Sequence, residues 1–325
     1  MNFNLNFIIP ALQYPVSIND SVLLFGSCFA ENIYEKLKQY KFDVICNTNG
    51  ILFNPLSIAN ALHSYCDEGF SYDPLLFEQD DIWYSWWHHG SFNGSTKNDL
   101  LKQINMSHEV AQQKLKKAQW LFITWGSAYV YEHNSNNLLV ANCHKVPAHQ
   151  FTKRLLNVSE IKNSYQKLFE TLHRFNPNLK ILMSISPVRY IRDGLHENNL
   201  SKATLMLALK QLMDQDKNIS YFPAYEIVND ELRDYRFFKQ DWVHPNSLAI
   251  SYVWQRFAET CLDQFTNDFL KQFDPILQAI QHRPLNAGSS AHIQFKKVIL
   301  QKIKNLQERY PFINVEKETA LFTPH

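Results

Sequence analysis

Three side chains of this sequence have the types and spacing that acyl-transfer chemistry needs. Ser27 follows the apolar run Ser21-Val22-Leu23-Leu24-Phe25-Gly26 and stands where a helical pattern begins. Far along the chain, Asp241 and His244 stand three apart in Asp241-Trp242-Val243-His244-Pro245. A hydroxyl can attack a carbonyl, an imidazole can take its proton, and a carboxylate can orient the ring. Each piece also has a plainer local role. A serine at that place caps the helix through its side-chain oxygen, and an isolated Asp-x-x-His is a surface turn. Only their combination points to a nucleophile, a base and an orienting acid.

The elements that would position them follow from periodicity. Apolar runs at 22–25, 42–46, 120–124, 180–186 and 220–223 read as buried strands. Helical patterns lie between them, at 29–38, 55–65, 96–117, 158–175 and 199–214, with Phe29, Ile33 and Leu37 on one face of the first. Pro55 suits a first helical turn, and Ser95 or Thr96 suits an N-cap. Alternation of buried strands with helices predicts an α/β fold with a five-stranded parallel sheet covered on both faces. Ligands of such sheets sit beyond the carboxyl ends of the strands. Ser27, Gly50, Gly126 and the Ser186-Pro187 pair all fall at strand ends and are expected to line one rim. Residues 67–95 read as irregular and aromatic. After about 260 the pattern turns helical around a break at 284–290, which predicts one domain over 1–261 and a helical C-terminal extension over 262–325.

Composition narrows the function. The chain has 325 residues, 45% of them hydrophobic, with a net charge of +1 and no basic block, which argues against a nucleic-acid partner. Five scattered cysteines form no C-x-x-C pair, so neither a disulfide framework nor a zinc knuckle is expected. No run of about eighteen apolar residues is present to span a bilayer. The first residues, with Pro10 and Pro15 and no basic stretch, do not read as a signal peptide. A reducing cytoplasm is the expected location.

Other groups are candidates for substrate contact. The segment Trp83-Tyr84-Ser85-Trp86-Trp87-His88-His89 reads either as a stacking platform for a sugar or as a loop clamped by its large rings. Trp86, His88, His89, His144, Arg189 and Lys202 make up the expected substrate-binding set; Lys145 is a further cation near the rim. A carboxylate or phosphate would suit the cations, and salt bridges within the fold are the plainer use. His88-His89 and the His144/His149 spacing are not metal-ligand signatures, so no metal and no cofactor are expected. Cys28, at a helix start, is a lesser nucleophile candidate; as the first helical residue it is expected to point into the core.

The chain resembles the GSCFA domain family. Gly26-Ser27-Cys28-Phe29-Ala30 is the family's name motif, and the likeness runs through Asn49-Gly50-Ile51-Leu52-Phe53-Asn54-Pro55, Trp125-Gly126-Ser127-Ala128 and Asn142-Cys143-His144-Lys145-Val146-Pro147. It continues in Ser186-Pro187-Val188-Arg189 and Ser201-Lys202-Ala203 and closes at 221–245. That family looks like a branch of the SGNH/GDSL hydrolases. The resemblance implies a three-layer α/β/α sandwich, with Ser27 as nucleophile, His244 as base and Asp241 as orienting acid. It also implies an oxyanion hole from the Ser27 amide, from Gly50 and from a side-chain amide after the third strand. There the sequence departs, with Ala128 where an asparagine would stand. Asn54, Gly126 and Asn142 are the substitutes considered.

The resulting expectation is a serine esterase acting on an O-acyl ester, for example acetyl on a carbohydrate, through an acyl-enzyme. The alternatives are an O-acyltransferase to a sugar acceptor and an SGNH-fold binding module whose catalysis has decayed.

Overall fold

The computed structural model describes residues 5, 7–286 and 288–323. Its centre is a parallel sheet of five strands: β1 (Ser21–Gly26), β2 (Asp43–Cys46), β6 (Trp120–Trp125), β10 (Lys180–Ile185) and β11 (Ile219–Phe222). They lie in the order β11-β10-β6-β1-β2, every pair parallel. Every residue of β6 is buried, as expected of a strand with helices on both faces.

Alternation along the strands sorts their side chains into two cores. Val22, Leu24, Trp120, Phe122, Leu182 and Phe222 face one way, onto α1 (Cys28–Gln39) and α7 (Ser247–Cys261). Leu23, Phe25, Leu121, Ile123, Trp125, Ile181 and Met183 face the other way. They meet α2 (Pro55–Tyr65), α3 (Lys97–Lys117), α4 (Val158–Phe175) and α5 (Leu195–Gln215). The three-layer α/β/α arrangement with a five-stranded sheet is thus present as read from the sequence.

After β11 the short α6 (Ala224–Glu226) runs into a π-helical turn over Ile227–Glu231. The C-terminal region consists of α8 (Gln264–Gln281), α9 (Ser290–Arg309) and α10 (Glu316–Phe322). Phe269, Phe273, Ile276, Ile299, Ile303 and Leu306 from α8 and α9 join the same core cluster as Val22 and Leu24. These helices extend one face of the sheet rather than standing off as a separate body.

Two small sheets are additions to the expected pattern. Residues 67–95 are not irregular: β3 (Leu76–Gln79), β4 (Ile82–Ser85) and β5 (Asn93–Gly94) form an antiparallel meander. Its first hairpin turns through Asp80 and Asp81, both at positive φ, so no glycine announces it. A second meander, β8-β7-β9, is built from β7 (Tyr129–His133), β8 (Leu138–Val140) and β9 (Phe151–Leu155). It is inserted between β6 and α4, over the carboxyl end of the sheet. No helix among the described residues is long and apolar enough to cross a membrane.

Candidate active site

The chain leaves β1 for β2 on one side and later returns to place β6 on the other. The connections therefore diverge between β1 and β6, where doubly wound sheets open a ligand crevice. Ser27 stands at the end of β1, and Gly126 at the end of β6. Gly26 permits this closeness: it sits at φ +141°, and a Cβ there would lie 2.1 Å from the Thr124 carbonyl oxygen. Only glycine lets β1 run beside β6 to its last residue.

Ser27 is 2% exposed and is the N-cap of α1, its Oγ accepting the Phe29 amide at 3.3 Å. It lines a cavity of about 540 Å³ over the sheet end. Asn54, Gly126, Ser186, Arg189 and His244 line the same cavity. Nucleophile and base candidates from opposite ends of the chain thus share one chamber. No hydrogen bond joins the Ser27 hydroxyl to the His244 ring.

The Asp241–His244 unit is built locally. Asp241 Oδ1 accepts the amides of Val243 and His244, each at 3.0 Å, and Oδ2 accepts from His244 Nδ1 at 2.7 Å. Trp242 between them holds φ +63°, a conformation most side chains avoid. The backbone amides of His244 and Val243, then the His244 ring, hold the Asp241 carboxyl down to about 2. An ionised carboxylate only accepts hydrogen bonds, so Nδ1 carries a proton and Nε2 is the ring nitrogen not bonded to Asp241. Asn246 anchors the turn, capping α7 through Oδ1 and donating from Nδ2 to the Arg236 carbonyl.

The expected oxyanion donors are placed differently. The Ser27 amide donates to the Thr124 carbonyl at 3.3 Å, and the Gly126 amide to that of Phe53 at 2.8 Å. Gly50 does not line the cavity. Its amide donates to the Asn47 carbonyl at 2.6 Å, and its φ of +73° and tight packing against His89 Cβ make it a turn residue. Asn142 is also outside the cavity, its Oδ1 accepting the His144 amide. Ala128 is fully buried in the core, its amide bound to Ser201 Oγ. Asn54 does reach the cavity: it caps α2 through Oδ1 and gives one Nδ2 hydrogen to Ser57 Oγ, leaving a second. The amide of Cys28, at the first position of α1, donates to no other described residue, and Cys28 lines the cavity. Sequence reading passed over that amide, though every helix start leaves such a group.

Cys28 lines the cavity and is only partly buried, outside the core clusters. Burial, then Glu31, raise its pKa, which suits an unreactive thiol rather than a nucleophile.

The aromatic segment is a clamp. Trp86 stacks on Phe77 with ring centres 3.6 Å apart and meets Phe151 edge-on. His88 is 1% exposed, bonded through Nδ1 to Ser85 Oγ, and burial lowers it to about 3, which keeps it neutral. His144 Nε2 bonds the Ser85 carbonyl, and burial likewise lowers its pKa. His89 pairs with Ser91 and packs on Gly50. Trp86, His88, His89 and His144 therefore lie outside the cavity, and Trp86 joins the two small sheets through Phe77 and Phe151. Among the described residues no group of three His, Cys, Asp or Glu side chains is placed to hold a metal ion.

Lys202 is also not a substrate contact. It is 2% exposed, and Nζ donates to the carbonyls of Gly126 and Ser186 at 2.6 and 2.7 Å. It ties the ends of β6 and β10 together beneath the cavity. Burial, only slightly opposed by Cys28, lowers its pKa to about 7.

What lines the upper cavity was not singled out in the sequence. Tyr129 and Tyr131 alternate on β7 and so share a face, and Phe53, Tyr190, Ile191 and Val243 complete a largely apolar wall. Lys153 braces it, with Nζ 4.4 Å from the Tyr129 ring centre and 5.7 Å from those of Tyr131 and Tyr190, while paired with Asp193. Tyr129 Oη donates to Glu197 at 2.5 Å.

An α/β sheet with a serine at its switch point and an oriented histidine across one cavity defines the class of architecture. The chain belongs to the GSCFA family: that family's model matches residues 21–257, and the model of the GSCFA domain protein C-terminal domain matches 273–323. No curated protein matches the chain.

Proposed function

We propose that this protein is a serine hydrolase that cleaves a carboxylic ester. The observation that carries the reading is the shared cavity of Ser27 and an Asp241-oriented His244. His244 Nε2 takes the Ser27 hydroxyl proton as Oγ bonds to the ester carbonyl carbon. The oxygen of the tetrahedral intermediate faces the Cys28 amide and the second Nδ2 hydrogen of Asn54, at the positive end of α1. Collapse breaks the bond to the alkoxy oxygen, which leaves with the proton held by His244. Water then gives a proton to His244 and its oxygen to the acyl carbon; the carboxylic acid departs and Ser27 regains its proton. The five thiols, all free among the described residues, fit a reducing cytoplasm.

One observation favours a non-catalytic alternative, a binding module on the same fold: the Ser27 and Gly50 amides are both engaged elsewhere. Turnover separates the two. A panel of p-nitrophenyl esters from acetate to hexanoate is expected to be hydrolysed by wild type and not by Ser27→Ala or His244→Ala. Wild-type rates equal to those of Ser27→Ala across the panel would overturn the hydrolase reading. Sugar acceptors added to the assay report transfer as acylated product.

A further inference from the structure

Two cations line the cavity, Arg189 and Arg192, and neither has an ion-pair partner among the described residues. The neighbouring cations differ: Lys153 pairs with Asp193, and Arg154 with Glu132 and Glu160. Arg189 is half-buried, and its Nε makes no hydrogen bond among the described residues. A guanidinium partly withdrawn from water beside an apolar wall, with no ion-pair partner, has lost hydration that an anion can replace. Among the described residues that line the cavity there is no carboxylate, and Asp193, Glu197 and Asp241 beside it are engaged by Lys153, the Tyr129 hydroxyl and His244.

Away from the polar floor of Ser27, Asn54, Ser127 and Ser186, most of the wall is aromatic and aliphatic, from Phe53, Tyr129, Tyr131, Tyr190, Ile191 and Val243. Such a wall favours an apolar or aromatic body, and 540 Å³ is far more room than an acetyl group fills. We infer that the cavity takes an ester with an apolar or aromatic body and an anionic group, carboxylate or phosphate, which binds the Arg189 guanidinium. The body lies against the tyrosines of β7, and the planar guanidinium offers paired donors to the anion. This rests on the hydrolase reading for the word ester; the anion subsite stands without it.

The experiment has a kinetic and a binding arm, each on wild type, Arg189→Gln and Arg189→Lys. The kinetic arm compares p-nitrophenyl butyrate with mono-p-nitrophenyl glutarate, esters of similar reach that differ in a terminal carboxylate. Wild type is expected to favour the glutarate in kcat/KM by roughly ten- to a hundredfold, mostly through KM, the span of one charged hydrogen-bonded contact. Arg189→Gln brings that ratio near one, and Arg189→Lys restores part of it. The binding arm titrates phenylacetate, phenyl phosphate and neutral benzyl alcohol calorimetrically. The anion that binds at least tenfold more tightly than benzyl alcohol, and loses that margin in Arg189→Gln, identifies carboxylate or phosphate as the group. Equal affinity for all three probes, or a preference that survives Arg189→Gln, overturns the proposal. Hydrolysis of both esters without preference leaves the hydrolase standing and removes the subsite. Arg189-dependent anion binding without hydrolysis does the reverse.

Discussion

The ammonium group of Lys202 donates a 2.6 Å hydrogen bond to the carbonyl of Gly126, the residue that ends β6 beside Ser27. Together with its bond to Ser186, this makes Lys202 a buried strut under the catalytic candidate. A Cβ on Gly126 would lie 3.4 Å from that of Ser27, so the floor which Lys202 holds runs close beside the serine.

Lys202→Met keeps the length of the side chain and removes the donor. Two carbonyls lose their partner, and the expected cost is about 2–4 kcal/mol in urea unfolding. The cost should depend on pH. Native Lys202 loses its proton near 7, whereas in the unfolded chain the lysine keeps its proton to about 10.5. Between those values the unfolded state holds more protons, so wild-type stability gains up to about 1.4 kcal/mol per pH unit that the variant lacks. Melts at pH 6, 8 and 9.5 should show the gap between the two proteins widening; a gap that narrows as pH rises would contradict this account of the strut.

Asp241→Asn separates turn formation from catalysis. The amide oxygen can still accept the Val243 and His244 amides, so thermal melting should shift little. Its Nδ2 would favour the wrong tautomer of His244, and turnover of p-nitrophenyl esters should fall by roughly 10³–10⁴-fold. Unchanged turnover in a folded variant would mean that no carboxylate orients the ring.

Gly26→Ala tests the approach of β1 to β6. The added carbon would meet the Thr124 carbonyl oxygen at 2.1 Å in a backbone conformation suited to glycine. The expected loss is about 3 kcal/mol or more, or failure to fold. Gly69→Ala, whose Cβ would meet only the Asp67 side chain at 3.6 Å, is the control and should change stability little. Similar urea midpoints for the two variants would show that the close contact can relax.

The central sheet was legible because its strands are buried on both faces, which writes a continuous apolar run such as Leu121-Phe122-Ile123 into the chain. Ser27, Asp241 and His244 were legible because their chemistry marks them and because two of them sit in one turn. The small sheets were not: hairpins through Asp80, Asp81 and Asn137 use left-handed non-glycine residues, and their strands are half-buried and short. Misplacing those sheets misplaced the site's walls. Trp86 and His88 looked like a sugar platform because ring types are visible in sequence while their partners Phe77 and Ser85 are not. Lys202 looked like a substrate-binding cation at the rim because nothing in Ser201-Lys202-Ala203 reveals that two strand-end carbonyls wait beneath the cavity. The tyrosine wall had a signal, the period-two spacing of Tyr129 and Tyr131, once β7 is recognised as a strand.

The most direct test of the central claim is covalent labelling of the folded protein with a fluorophosphonate, read by intact mass and peptide mapping. One adduct is expected, on Ser27, absent in Ser27→Ala and formed far more slowly in His244→Ala. A wild-type protein that stays unlabelled, or labelling that persists at full rate in Ser27→Ala, would contradict the assignment of Ser27 as a nucleophile activated by His244.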